Sequence, residues 1–131
     1  MDVSYVLDTN VVLSYLGGEM VGPLPKGEYF VSVITQMELL SYPSLSQSEE
    51  SAIQDFLHDI TVVGLNVDIR DRAIQLRRYH GLKLPDAIIA ATALSLEGWL
   101  VTNDQKIARI PGMRCQSVTL KNESNPCMGE S

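Results

Sequence analysis

Short apolar runs alternate with segments of helical period along the chain, and this alternation predicts an α/β fold, a three-layer α/β/α arrangement with a central parallel sheet. The first run, VSYVL, has no polar face and is followed at once by Asp-Thr-Asn, as expected of a strand buried on both sides that leads into a helix. Strand, helix, strand in that order is the βαβ unit, whose right-handed crossovers bring strands parallel and cover both faces of the sheet. The 131 residues, 45% of them apolar, suit one domain with its own core and argue against wholesale disorder.

After the strand at residues 3–7, Thr9 or Asn10 caps a helix whose Val11, Val12, Tyr15 and Leu16 lie on one side, and Gly17-Gly18 ends it. That apolar side suits the core, with a partner surface as the second reading. GPLPKGE is a loop by composition. YFVSVI, residues 29–34, is the second strand, and Thr35 begins a helix that breaks before Pro43. SLSQSEESAIQDFLHDI is a serine-capped helix with glutamates in its first turn and Ile53, Phe56, Leu57 and Ile60 facing inward.

TVVGL reads as a third, short strand or as an extended connection. Asn66 caps the helix that runs to His80 and stops at Gly81. Residues 84–97 are apolar nearly all round, with Pro85 in the first turn, so that helix belongs in the interior. WLVT is a strand, TND a turn, QKIARI a short helix and RCQSVTL the last strand. The remainder, KNESNPCMGES, is polar, rich in breakers and expected to fray.

Four acids stand where these strands hand over to helices: Asp8, Glu38, Asp86 and Asp104. A parallel sheet gathers the carboxyl ends of its strands along one edge, so acids far apart in sequence can meet in one cleft. Each acid also has a purely structural reading. Asp8 and Asp86 suit helix N-termini, Asp104 suits a cap for QKIARI, and Thr35-Gln-Met-Glu38 matches a capping box. Four such acids on one edge make a shared cleft the sharper reading. Two carboxylates about 4 Å apart repel by on the order of 4 kcal/mol at an effective dielectric near 20. Protonation or a divalent cation relieves that conflict, and Mg²⁺ or Mn²⁺ suits an open, all-oxygen site. Thr9, Asn10, Thr102 and Asn103 stand beside the acids as groups that orient water or phosphate, or simply as turn and cap residues.

The net charge of −6 argues against a simple nucleic-acid-binding surface. The cations are uneven, however: Arg70, Arg72, Arg77, Arg78 and Lys83 fall in one stretch, Lys106, Arg109 and Arg114 in another. A cation-filled acidic cleft beside a basic rim can hold a phosphodiester, with a solvated helix face as the other reading. No apolar run is long enough to span a bilayer, and MDVSYVLDTN has an acid where a secretory leader carries basic residues, so a cytoplasmic location without membrane contact is expected. Cys115 and Cys127 lack the spacing of a zinc site and read as reduced thiols.

LDTNVVLSYL, ITQMELL, LPDAIIAATAL and LVTNDQKIARIPG, in this order over about residues 4–118, resemble the PIN-domain family and within it the VapC-type toxins of toxin–antitoxin pairs. The resemblance implies a nuclease domain over residues 1–120 with a flexible tail at 121–131, and Mg²⁺- or Mn²⁺-dependent endoribonuclease activity on RNA. It assigns Asp8, Glu38, Asp86 and Asp104 to the family's acidic residues, with Thr102 or Asn103 as the accompanying polar group. It further implies a homodimer and a cognate antitoxin, encoded beside the toxin, whose C-terminal segment wraps it and sends a basic side chain into the acidic pocket. Many relatives carry another acid and an aromatic after the Asn-Asp pair, whereas Gln105, Lys106 and Ile107 follow here, which puts a second metal site in question. Lys106 is then a candidate phosphate contact or a solvated lysine, and Arg77, Arg78 and Lys83 are candidates for steering phosphate.

Two readings compete with the nuclease. One is a non-catalytic, Mg²⁺-binding acidic receiver or interaction module of flavodoxin-like architecture. Receivers usually show an adjacent acidic pair after the first strand and a lysine after the last, and neither stands here. The other is a PIN-fold scaffold without activity, which the intact acids disfavour.

Overall fold

A computed structural model describes residues 3–121 of the chain. Five strands, β1 (Ser4–Leu7), β2 (Glu28–Ser32), β3 (Thr61–Val63), β4 (Trp99–Val101) and β5 (Cys115–Gln116), form one sheet in the order β3-β2-β1-β4-β5, and every pairing is parallel. The helices are α1 (Thr9–Leu16), α2 (Val33–Leu40), α3 (Gln47–His58), α4 (Val67–His80), α5 (Leu84–Ser95) and α6 (Gln105–Ala108). A flavodoxin-like receiver has the order 2-1-3-4-5. The observed 3-2-1-4-5 order therefore removes the receiver reading.

Alternation along the strands builds the two apolar layers. Val6 and Leu100 point to the side where Ile69, Ala73 and Leu76 of α4 pack with the Ala/Ile run of α5. Tyr5, Leu7, Val31 and Val101 point to the other side, against Val11 and Val12 of α1, Leu39 of α2, and Ile53 and Leu57 of α3. Helix α5 is buried from Ala87 through Ala93, and its one polar member there, Thr92, returns its hydroxyl to the Ile88 carbonyl at 2.8 Å. Small side chains make this possible, because a helix walled on nearly all sides leaves no room for long ones. Gly98 leads into β4 beside β1, and a Cβ there would stand 2.8 Å from the Ser4 carbonyl oxygen.

Several boundaries differ from expectation, each for a local reason. Asp8, not Thr9 or Asn10, is the N-cap of α1. β2 ends at Ser32, whose hydroxyl accepts from the Ile34 N–H at 3.1 Å and starts α2 there. Thr35 thus lies inside the helix, and the expected Thr35–Glu38 capping box does not exist. The box that does form joins Ser46 and Glu49 at the start of α3. Asn66 caps α4 and Gly81 ends it with φ of 66°, as expected.

The final strand is far shorter than RCQSVTL, because β4 stops at Val101 and offers no further ladder after Gln116. The chain turns away instead: the Asn103 side chain takes the Val118 N–H at 2.8 Å, and Leu120 bridges antiparallel to Met20. Among the described residues Cys115 has no disulfide partner. Residues 122–131 of the tail, with Cys127, lie outside the described residues. Among the described residues no helix is long and apolar enough to cross a membrane.

Candidate functional site

The sheet order reverses between β1 and β4, and such a switch point opens a crevice at the carboxyl ends of the two strands. Register aligns Leu7 with Val101, and the Asp8 N–H continues the ladder to the Val101 carbonyl at 3.1 Å. Asp8 and Thr102 therefore emerge side by side at the crevice. Asp8 borders a cleft of about 330 Å³ together with Asn10, Asn103 and Asp104, and Thr102 stands buried behind it.

Asp8 is only 6% exposed. Its Oδ2 accepts a 2.6 Å bond from the buried Thr102 hydroxyl, and its Oδ1 takes only a long 3.4 Å contact from the Asn10 N–H. A carboxylate has about four acceptor positions, so this buried group keeps unused lone pairs at the cleft. The Thr102 oxygen also accepts from the Asp104 N–H at 3.0 Å, and Asp104 in turn caps α6 by accepting from the Lys106 N–H at 2.9 Å. Asn103, by contrast, spends its amide oxygen on Val118 and so holds the wall of the cleft. Of the two polar residues in play after β4, Thr102 is the one bonded to an acid.

Glu38 comes from the middle of α2. Its Oε1 accepts from the Thr9 hydroxyl at 2.7 Å, and Thr9 is bonded at 2.9 Å to Thr35, which is fully buried. Thr35 is the residue that sequence reasoning misread, since its spacing from Glu38 imitated a cap. Its true partner is 26 positions away, a pairing that no local pattern encodes.

Asp86 lies in the first turn of α5, directly after Pro85, and is half-buried. Its carboxyl is pushed above the ordinary range, first by burial and then by the charges of Asp8, Asp104 and Glu38, with Lys83 opposing. The charges of the other three acids reach Asp86, while Asp8 and Asp104 are the two of the four that line the cleft. Among the described residues no three acidic, histidine or cysteine side chains close tightly around a point.

A divalent ion suits this arrangement on two observations: an under-bonded buried carboxylate at Asp8, and an Asp86 whose ionisation is opposed first by burial and then by three like charges. The donors are all oxygens, the choice of hard cations such as Mg²⁺ or Mn²⁺.

The candidate phosphate-steering residues separate. Lys83 is exposed and its charge reaches Asp86. Arg77 and Arg78 sit on the last turn of α4, where Arg78 lies 5.5 Å over the Tyr79 ring. Lys106 donates to the Gly81 carbonyl at 2.9 Å, tying α6 to the end of α4.

A second concavity, apolar and about 520 Å³, lies between α1 and the start of α3, with Leu13, Leu16, Tyr42, Leu45 and Ile53 in its walls. Because Asn10, Val11 and Ser14 of the same helix border the acidic cleft, α1 is the partition between groove and cleft.

A sequence profile of the PIN domain matches residues 5–113. Among solved structures, VapBC2 of Rickettsia felis, bound to a DNA fragment from its promoter, is similar with a TM-score of 0.75 at 20% identity, over 88% of this chain and 99% of that one. A toxin–antitoxin complex from Klebsiella pneumoniae is similar with a TM-score of 0.69 at 29% identity, over 88% and 96%. VapBC-1 from nontypeable Haemophilus influenzae is similar with a TM-score of 0.71 at 26% identity, over 87% and 97%. No curated protein matches the chain.

Proposed function

The chain belongs to the PIN domain family, and from that premise we propose that it is a divalent-metal-dependent endoribonuclease and the toxin of a toxin–antitoxin pair. The observation that carries the reading is Asp8, a buried carboxylate at the end of β1 that is held by Thr102 and borders one cleft with Asp104. The nuclease domain spans residues 1–120 in this reading.

Asp8, Glu38, Asp86 and Asp104 would hold Mg²⁺ or Mn²⁺. A cation bound there supplies Lewis acidity toward a phosphodiester and toward water. The chain's own residues do the rest. Thr102 fixes Asp8 and the backbone of Asp104 with one hydroxyl, and Thr9 fixes Glu38. Such bonds hold oxygen donors in place before substrate arrives, which is how preorganisation lowers a barrier. Lys83, at the mouth of α5, offers a positive charge to an RNA phosphate that the acids would otherwise repel. Asn10, exposed beside the cleft, offers an amide to the same substrate.

The antitoxin, in this reading, lays an apolar segment in the groove walled by Leu16 and Tyr42 and passes over α1 to bring a basic side chain to the acids. Support comes from the groove's place across α1 from the cleft and from the toxin–antitoxin complexes among the similar structures. Two toxin copies pair as a homodimer.

Incubation of the purified protein with a cellular RNA pool in Mg²⁺, Mn²⁺ or EDTA tests the activity, with Asp8→Asn as the comparison. Cuts that need metal and vanish in the variant are expected. Equal, metal-insensitive cleavage by both proteins would refute the nuclease.

A further inference from the structure

Thr35 has a hydroxyl that the fold does not need. The residue is 0% exposed, its helix is already capped by Ser32, and valine would fill the same space without the cost of burying an oxygen. Its hydroxyl bonds to Thr9. Thr9 has one hydroxyl proton and gives it to Glu38, so in its bond with Thr35 it can only accept. The direction of the chain is thereby fixed, from Thr35 to Thr9 to the Glu38 Oε1. The three residues join the first turn of α1, directly after Asp8, to the first two turns of α2.

We infer that Thr35 is a positioning residue, which orients the Thr9 hydroxyl and through it aims the Glu38 carboxylate at the cation held by the acids. This rests on the proposed metal-dependent function. Without the Thr35 proton, the Thr9 hydroxyl is free to turn about its own bond, and Glu38 loses a fixed donor. The link also sets Glu38 relative to Asp8, because Thr9 follows Asp8 in the chain.

The test compares wild type with Thr35→Val, Thr35→Ser and Thr9→Val by calorimetric titration of Mn²⁺ into the metal-free protein and by cleavage of RNA. A lost neutral hydrogen bond corresponds to about a three- to tenfold effect. Thr35→Val should weaken Mn²⁺ binding and lower kcat by that factor with KM for RNA unchanged, and Thr35→Ser should restore both. Combining Thr35→Val with Glu38→Gln should weaken Mn²⁺ binding no further than Glu38→Gln alone, since the two act through one side chain. Should Thr35→Val fail to fold, Thr9→Val breaks the same link from its other end and is expected to give the same loss. Wild-type affinity in Thr35→Val, an impaired Thr35→Ser, or additive losses in the Glu38→Gln background would each overturn the positioning role. If the wild-type protein cleaves no RNA, the functional reading fails, while the Mn²⁺ titrations still decide whether Thr35 acts on Glu38.

Discussion

Thr102→Val removes one hydroxyl that serves two acids. The substitution keeps the shape of a buried side chain but deletes the 2.6 Å bond to Asp8 and the acceptor of the 3.0 Å bond from the Asp104 N–H. A buried bond to a charged group is worth about 1.5–3 kcal/mol, and the partly exposed second bond adds about 0.5 kcal/mol. The new methyl group returns about 0.8 kcal/mol through apolar burial. The net loss is about 2 kcal/mol, which for a domain of this length lowers Tm by roughly 6–10 °C. Thermal unfolding in EDTA at neutral pH reads the change, and Thr102→Ser should recover most of it. A Thr102→Val protein within about 2 °C of wild type would refute the account of how Asp8 is held.

Three further outcomes follow from the geometry. Asp86→Asn should abolish cleavage yet stabilise the metal-free protein at neutral pH, because the folded Asp86 binds its proton more tightly than the unfolded one. Above 3.8, the ordinary value, wild-type stability relative to the variant therefore falls as pH rises until Asp86 is ionised in the folded state, and then stays level. Melting curves of both proteins across pH read that difference, and Mg²⁺ should raise Tm in wild type alone. Gly98→Ala should cost about 1–3 kcal/mol by forcing β4 away from the Ser4 carbonyl, and cleavage should fall with it because this pairing sets Asp8 beside Thr102. Tyr42→Asp, an exposed change in the apolar groove, should weaken binding of the adjacently encoded antitoxin by about tenfold or more in a titration while leaving RNA cleavage intact.

Much of the fold is legible in the sequence because parallel strands and their helices are coded locally. VSYVL, the Asn66 cap, the Gly81 stop and the Ala/Ile run of α5 each announce an element within a few residues. Boundaries fail where the partner decides. β5 ends early because β4 does, and Asn103 then takes up the Val118 N–H, a contact 15 positions long. For the acids, cap and site had stood as competing readings, yet Asp8 and Asp104 cap helices while bordering the same cleft. The N-terminus of a helix favours a carboxylate for the same electrostatic reason that a cleft of such termini suits acids. What stays hidden in the sequence is the network behind them. Thr35 looked like a cap for Glu38, and only the packing of α1 on α2 connects it to Thr9.

The central claim is that four carboxylates from four separate segments act as one cation site. Calorimetric titration of Mn²⁺ into wild type and into Asp8→Asn, Glu38→Gln, Asp86→Asn and Asp104→Asn tests it most directly. One shared site predicts that every variant binds more weakly, by tenfold or more for the buried Asp8 (about 1.4 kcal/mol). Wild-type affinity in all four variants, or no measurable binding by the folded wild type, would contradict it.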